Sequence, residues 1–159
     1  MKETNCRVAT LAARLHEKVD SFLLSELHSR GIKDIQPCHG DILFYVGKHP
    51  GIGVSELAIK CHRTKSTISL LCTKLQKSGY LEKSQSPDDK RFFGFRLTQM
   101  AVSLENNFQE ISDNMNSVLT RGFSDQEIVL FERMLSRARE NFESELTGEK
   151  KKKSFFHQL

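Results

Sequence analysis

Apolar residues recur in steps of three and four along most of this chain, and the rhythm breaks where Pro and Gly fall. Val8, Leu11, Leu15, Val19 and Phe22 place one apolar stripe on a first helix, running from about Thr4 to Ser29 and stopped by Gly31. Such a helix is about 39 Å long, more than a small domain covers, so part of it is expected to pack elsewhere. After Pro37, a second helix passes through Ile42, Leu43, Phe44, Tyr45 and Val46, and ends in the breaker run His49–Gly53. A short helix from Ser55 to about Lys60 follows. Thr64 is a suitable N-cap for the next helix, Lys65–Lys77, and Gly79 is its left-handed stop. Ile68, Leu71, Cys72 and Leu75 form the buried stripe of that helix, which leaves Lys65, Ser66, Ser69, Thr73 and Lys77 largely outward.

The period then changes to two. Phe93, Phe95 and Leu97 alternate with Gly94 and Arg96, the pattern of a half-buried strand, and Tyr80 to about Ser84 supplies its partner. Ser86, Pro87, Asp88, Asp89, Lys90 and Arg91 between them are turn residues with a positive tip. Helical spacing resumes with Leu104, Phe108, Ile111, Met115 and Val118, and Arg121-Gly122 interrupts it. Ser124 and Glu127 form a capping box for a last helix, with Phe123 and Ile128 at the hydrophobic-staple positions. Ile128, Phe131, Leu135, Ala138 and Phe142 continue its apolar seam. The expected fold is therefore mainly α with a small antiparallel β-wing. A winged helix-turn-helix at 35–98 stands between a helix at 1–34 and a helical hairpin at 99–146, both of which need further helices to pack against, with a basic tail at 147–159.

Charge sharpens this picture. Between Lys60 and Arg96 there are nine Lys/Arg against three Asp/Glu, a net of +6, whereas the whole chain is only +4. The basic character is thus confined to the short helix, the capped helix and the hairpin, the elements a winged helix-turn-helix lays on DNA. No apolar run approaches a membrane span, the N-terminus lacks the apolar core of a signal peptide, and a cytoplasmic location is expected. The tail that carries Lys150–Lys153 reads as a frayed terminus, or as a sequence-independent aid to DNA binding.

Cys6, Cys38, Cys61 and Cys72 form no Cys-x-x-Cys pair, and Cys38 and His39 are adjacent rather than helically spaced. No metal and no cofactor are expected. The six histidines show no His-x-x-x-His spacing, and there is no nucleophile elbow, P-loop or dinucleotide fingerprint, so no enzyme is expected.

Four segments in order, Val54–Ala58, Thr64–Ser69, Leu75–Leu81 and the wing Asp88–Arg91 followed by Leu97-Thr98, make residues 5–145 resemble the MarR family of winged-helix transcriptional regulators. The resemblance implies a homodimer with interleaved N- and C-terminal helices, on a palindromic operator of double-stranded DNA. It implies repression relieved by a small aromatic or anionic effector. His62 and Arg63 depart from the glycine and aliphatic residue usual in the family's turn, and Ile59 stands where a polar residue is common.

Read as a DNA interface, Arg63, Thr64, Lys65, Ser66, Thr67 and Ser69 meet phosphates or base edges, and Lys90 touches phosphate. Arg91 suits a narrow minor groove, with Asp89 two residues earlier to hold its guanidinium. Lys74, Lys77 and Lys83 are either solvated or weak electrostatic helpers. Outside a helix-turn-helix the same residues would make an ordinary solvated helix face. For the effector, the resemblance points near the first two helices and the start of the fifth, with Phe22, His39 and Tyr45 as candidates. Two alternatives remain at this level: a redox- or metal-responsive regulator using Cys6 or Cys38, and a winged-helix protein-interaction module without specific DNA binding.

Overall fold

The computed structural model describes residues 7–85 and 93–146. Seven helices and one hairpin follow in the order α1 (Val8–Ser29), α2 (Gly40–Lys48), α3 (Val54–Lys60), α4 (Lys65–Lys77), β1 (Leu81–Gln85), β2 (Phe93–Leu97), α5 (Gln99–Ser103), α6 (Glu105–Leu119) and α7 (Asp125–Leu146). A 3-10 turn, Pro37–His39, leads into α2. The chain divides into two compact units after Asn116. No helix among the described residues is long and apolar enough to cross a membrane.

The first unit is built on one core. Leu27, Ile32 and Ile35 close the end of α1, and Ile42, Leu43 and Val46 come from α2. Leu57, Ala58 and Cys61 come from α3 and its end, and Ile68, Leu71, Cys72 and Leu75 from α4. The stripe expected on α4 is thus buried residue for residue, and Thr64 caps the helix by accepting the Thr67 N–H at 3.2 Å.

Three helix ends in this unit share one closure. After α1, Gly31 takes φ +76° and the Ile32 N–H reaches back to the Leu27 carbonyl at 3.0 Å. After α4, Gly79 takes φ +79° and the Tyr80 N–H reaches the Leu75 carbonyl at 2.9 Å. After α3, the Arg63 N–H reaches the Ala58 carbonyl at 3.0 Å, but the left-handed residue is His62, at φ +50°. The turn between α3 and α4 therefore keeps the glycine geometry with a histidine in the glycine's place.

The hairpin pairs Leu81 with Leu97 and runs to Gln85 opposite Phe93. A third piece of extended chain joins it. Gly51 donates its N–H to Phe95 O at 2.8 Å, and Phe95 donates to Ile52 O at 3.0 Å. The two chains approach so closely at Gly94 that a Cβ there would overlap the Gly51 carbonyl. This corrects the simple alternation expected for β2: Gly94 is buried and Phe93 is exposed. Phe93 sits at the wing end of the ladder, beyond the last core residue, while Gly94 faces the incoming strand.

Helix α5 is too short to show a period in the sequence. Thr98 sets it, accepting the Ala101 N–H at 3.3 Å while its hydroxyl donates to Gly79 O at 2.6 Å, so one side chain ties the end of α4 to the start of α5. Within the same unit, Arg30 reaches Glu26 at 2.8 Å and Glu110 at 3.8 Å, linking α1 to α6.

In the second unit the capping box is formed. Glu127 Oε2 accepts from the Ser124 N–H at 2.8 Å, and the Glu127 N–H donates to Ser124 Oγ at 3.4 Å. The Phe123 ring packs edge-on against Phe131, centroids 6.0 Å apart. Helix α7 has no buried residue, and Val129, Met134, Leu135, Phe142 and Leu146 are exposed along it. Val8, Leu11 and Leu15 are likewise exposed on α1.

Candidate nucleic-acid interface

The α3–turn–α4 unit presents one polar, cationic face. His62, Arg63, Thr64, Lys65, Ser66 and Ser69 are all exposed, and Thr67 is half-buried. Thr64 organises the entry to α4: its Oγ1 lies 3.2 Å from Ser66 Oγ and 2.8 Å from Thr67 Oγ1. The start of a helix carries unpaired backbone N–H groups and the positive end of its dipole, so a basic, hydroxyl-rich N-terminus is suited to an anion such as a phosphate. Farther along, Thr73 donates its hydroxyl to Ser69 O at 2.8 Å, and Lys74 and Lys77 remain exposed.

The hairpin adds charge beside α4. Lys83 and Arg96 are exposed, with Arg96 opposite Glu82 in the ladder. Asp89, Lys90 and Arg91 lie outside the described residues, as do Cys6 and Lys150–Lys153. Lys60 is held inward of this face, 3.8 Å from Glu56 and over the Tyr45 ring at 5.6 Å. One exposed apolar residue shares the α4 face and escaped the sequence reading: Leu70, which falls outside the buried stripe. Its signal was in the spacing, since 70 lies four residues after 66 and three before 73.

A cavity of about 560 Å³ lies in the first unit, lined by α1, the 3-10 turn, α2, the end of β2, α5 and α6. Its wall is mostly apolar, including Leu27, Leu43, Phe44, Leu97, Phe108 and Ile111, with Gln36, Asp41, Lys48 and Glu105 among its polar groups. Lys48 Nζ sits 4.7 Å from the centre of the Phe44 ring. None of Phe22, His39 and Tyr45 lines this cavity. His39 is core instead, its Nδ1 accepting the Gln36 N–H at 3.1 Å, and Tyr45 packs edge-on against Phe44. Burial, and then the charge of Lys74, hold the His39 imidazole below its ordinary pKa.

Among the cysteines, burial raises the Cys61 thiol and pushes Cys72 up to about 12, with Cys61 adding to the latter. Thiols so protonated are poor nucleophiles. Cys38 is half-buried at the 3-10 turn. Among the described residues no group of three or more His, Cys, Asp or Glu is placed to hold a metal ion.

The family model described as the MarR family matches residues 37–92. A curated relative, the HTH-type transcriptional regulator YhjH of Bacillus subtilis (strain 168), is 32% identical over 97 residues, covering 58% of this chain and 55% of that protein. The exopolysaccharide II synthesis transcriptional activator ExpG of Rhizobium meliloti (strain 1021) is 25% identical over 123 residues, 77% of this chain and 63% of that protein. The chain thus spans little more than half the length of the curated relatives it matches. Among solved structures, the S. aureus MepR–DNA complex has a TM-score of 0.74 at 20% identity, covering 84% of this chain and 97% of that one. The transcriptional regulator SlyA has a TM-score of 0.76 at 17% identity, covering 88% and 96%. At these identities the likeness is one of fold.

Proposed function

We propose that this protein, whose residues 37–92 match the MarR-family model, is a regulator of that family: a homodimeric, sequence-specific DNA-binding repressor, cytoplasmic, whose grip on a palindromic operator is relaxed by a small molecule. The observation that carries the reading is the α4 face: an N-capped helix presenting Lys65, Ser66 and Ser69 to solvent, flanked by Arg63 and beside a wing with exposed Lys83 and Arg96. A neutral or acidic face would favour the protein-interaction alternative. Lysines and arginines supply sequence-independent attraction to phosphate, and the hydroxyls meet base edges or phosphates in the major groove. Arg91, steadied by Asp89, enters the minor groove in this account, and Lys90 holds phosphate.

The exposed apolar stripes of α1 and α7 support the dimer, because stripes of Val, Leu, Met and Phe facing water need a partner surface. A twofold dimer sets its α4 helices on half-sites about 34 Å apart. The apolar cavity beside α2 supports a ligand that works by favouring a dimer geometry in which that spacing no longer fits. No bond is made or broken in this scheme.

Footprinting on the DNA upstream of the protein's own gene tests it, with a reporter assay alongside. The expected result is two protected half-sites centred one helical turn apart, and a reporter that rises when the protein is removed. Protection of a single site would contradict the dimer. A reporter that falls on removal would make the protein an activator, as ExpG's name states for that relative.

A further inference from the structure

Leu70 stands 58% exposed in the middle of α4. Residues 66, 69, 70 and 73 are spaced to share one stripe of the helix, so Leu70 lies among Ser66, Ser69 and Thr73, all exposed. The helix already buries its own apolar stripe of Ile68, Leu71, Cys72 and Leu75, and Leu70 adds nothing to that core. Thr73 directs its hydroxyl to the Ser69 carbonyl at 2.8 Å, which leaves its methyl as the uncommitted group next along the stripe. The centre of a cationic face, between Lys65 and Lys74, is therefore apolar.

We infer that Leu70, with the Thr73 methyl beside it, reads thymine C5-methyl groups in the major groove and so selects A·T pairs beneath the middle of α4. This rests on the DNA-binding reading above. The only apolar group that any base pair presents in the major groove is the thymine methyl. A leucine neither donates nor accepts, so against a G·C pair it would desolvate amino and carbonyl groups without satisfying them. Packed on a methyl it removes apolar surface from water on both sides. The flanking lysines fit phosphate and fix the register of this contact without reading sequence themselves.

The test uses the full chain and a duplex that the wild type selects from a random-sequence pool. That duplex is synthesised again with deoxyuridine for thymidine, which removes the methyl and keeps the base pairing. Wild-type affinity is expected to fall about fourfold for each methyl lost beneath α4, the worth of one buried methylene. Leu70→Ala is expected to melt at the wild-type temperature and to lose most of the difference between the two duplexes, the Thr73 methyl keeping the remainder. Wild-type binding that ignores the substitution would overturn the inference, as would a Leu70→Ala variant that keeps the wild-type ratio. Failure to select any sequence at all is a different result: it would remove the DNA-binding reading, and this inference with it.

Discussion

His62 and Gly94 show how one position answers to backbone geometry before chemistry. At φ +50° His62 carries a Cβ where the two sibling helix ends use glycine. His62→Gly is expected to keep stability within about 1 kcal/mol, relief of the left-handed strain being offset by the looser unfolded chain. His62→Val should cost about 2 kcal/mol, because a β-branched residue resists that conformation; urea melts that rank the two variants the other way would contradict this. Gly94 has no such latitude. A Cβ there meets the Gly51 carbonyl and lies 2.9 Å from Ile52 O, so Gly94→Ala should lower stability by roughly 2–3 kcal/mol and loosen the wing, measurable by denaturant titration. The position looked like an outward strand residue in the sequence because its neighbour, Gly51, is far away along the chain. His39 gives a pH dependence. Its folded pKa lies below the ordinary value of about 6.5, so the unfolded chain binds the extra proton first. The stability from the neutral imidazole is complete above about pH 6.5 and is lost as the pH falls below it. The thermal midpoint should drop between pH 7.5 and pH 5.5, and His39→Gln should flatten that slope; an unchanged slope would assign it to other groups.

At the scale of elements, legibility followed periodicity. The α4 stripe, its Thr64 cap and its Gly79 stop were all plain in the sequence because each is a local signal: a three-four rhythm, a hydroxyl and a glycine. The capping box of α7 was legible for the same reason. Helix α5 was not, since five residues complete too little of a turn pattern to be recognised and its cap serves a tertiary tie to Gly79. The cavity was legible only as a neighbourhood. Its lining comes from segments scattered between residues 23 and 115, while His39 is buried in the core, Tyr45 packs edge-on against Phe44 and Phe22 is half-buried on α1. Thr64→Ala tests the part of the interface that is local. Removing the cap should cost about 1 kcal/mol and weaken DNA binding, while Thr64→Ser should restore both. Loss of binding in both variants at unchanged stability would mean that the threonine methyl, not the cap, matters.

Over the whole molecule, the proposed DNA-binding function rests on an uneven distribution of charge. The window from Lys60 to Arg96 is +6 while the remainder of the chain sums to −2, so the field is concentrated on one set of elements and opposes the attachment of the rest to DNA. Neither composition nor fold alone fixes a sequence preference; in the proposed account the groove-facing side chains do, and apart from the capping Thr64 they are exposed residues that fold stability leaves largely unconstrained. The central claim is that the α4 N-terminus and the wing grip phosphate and groove together. It is tested most directly by titrating a palindromic duplex at several salt concentrations with wild type, Lys65→Ala and Lys90→Ala. The account predicts a steep fall of log affinity with log salt, shallower by about one unit for each phosphate contact a substitution removes, and so by about two in a dimer. Equal slopes for all three proteins would contradict it.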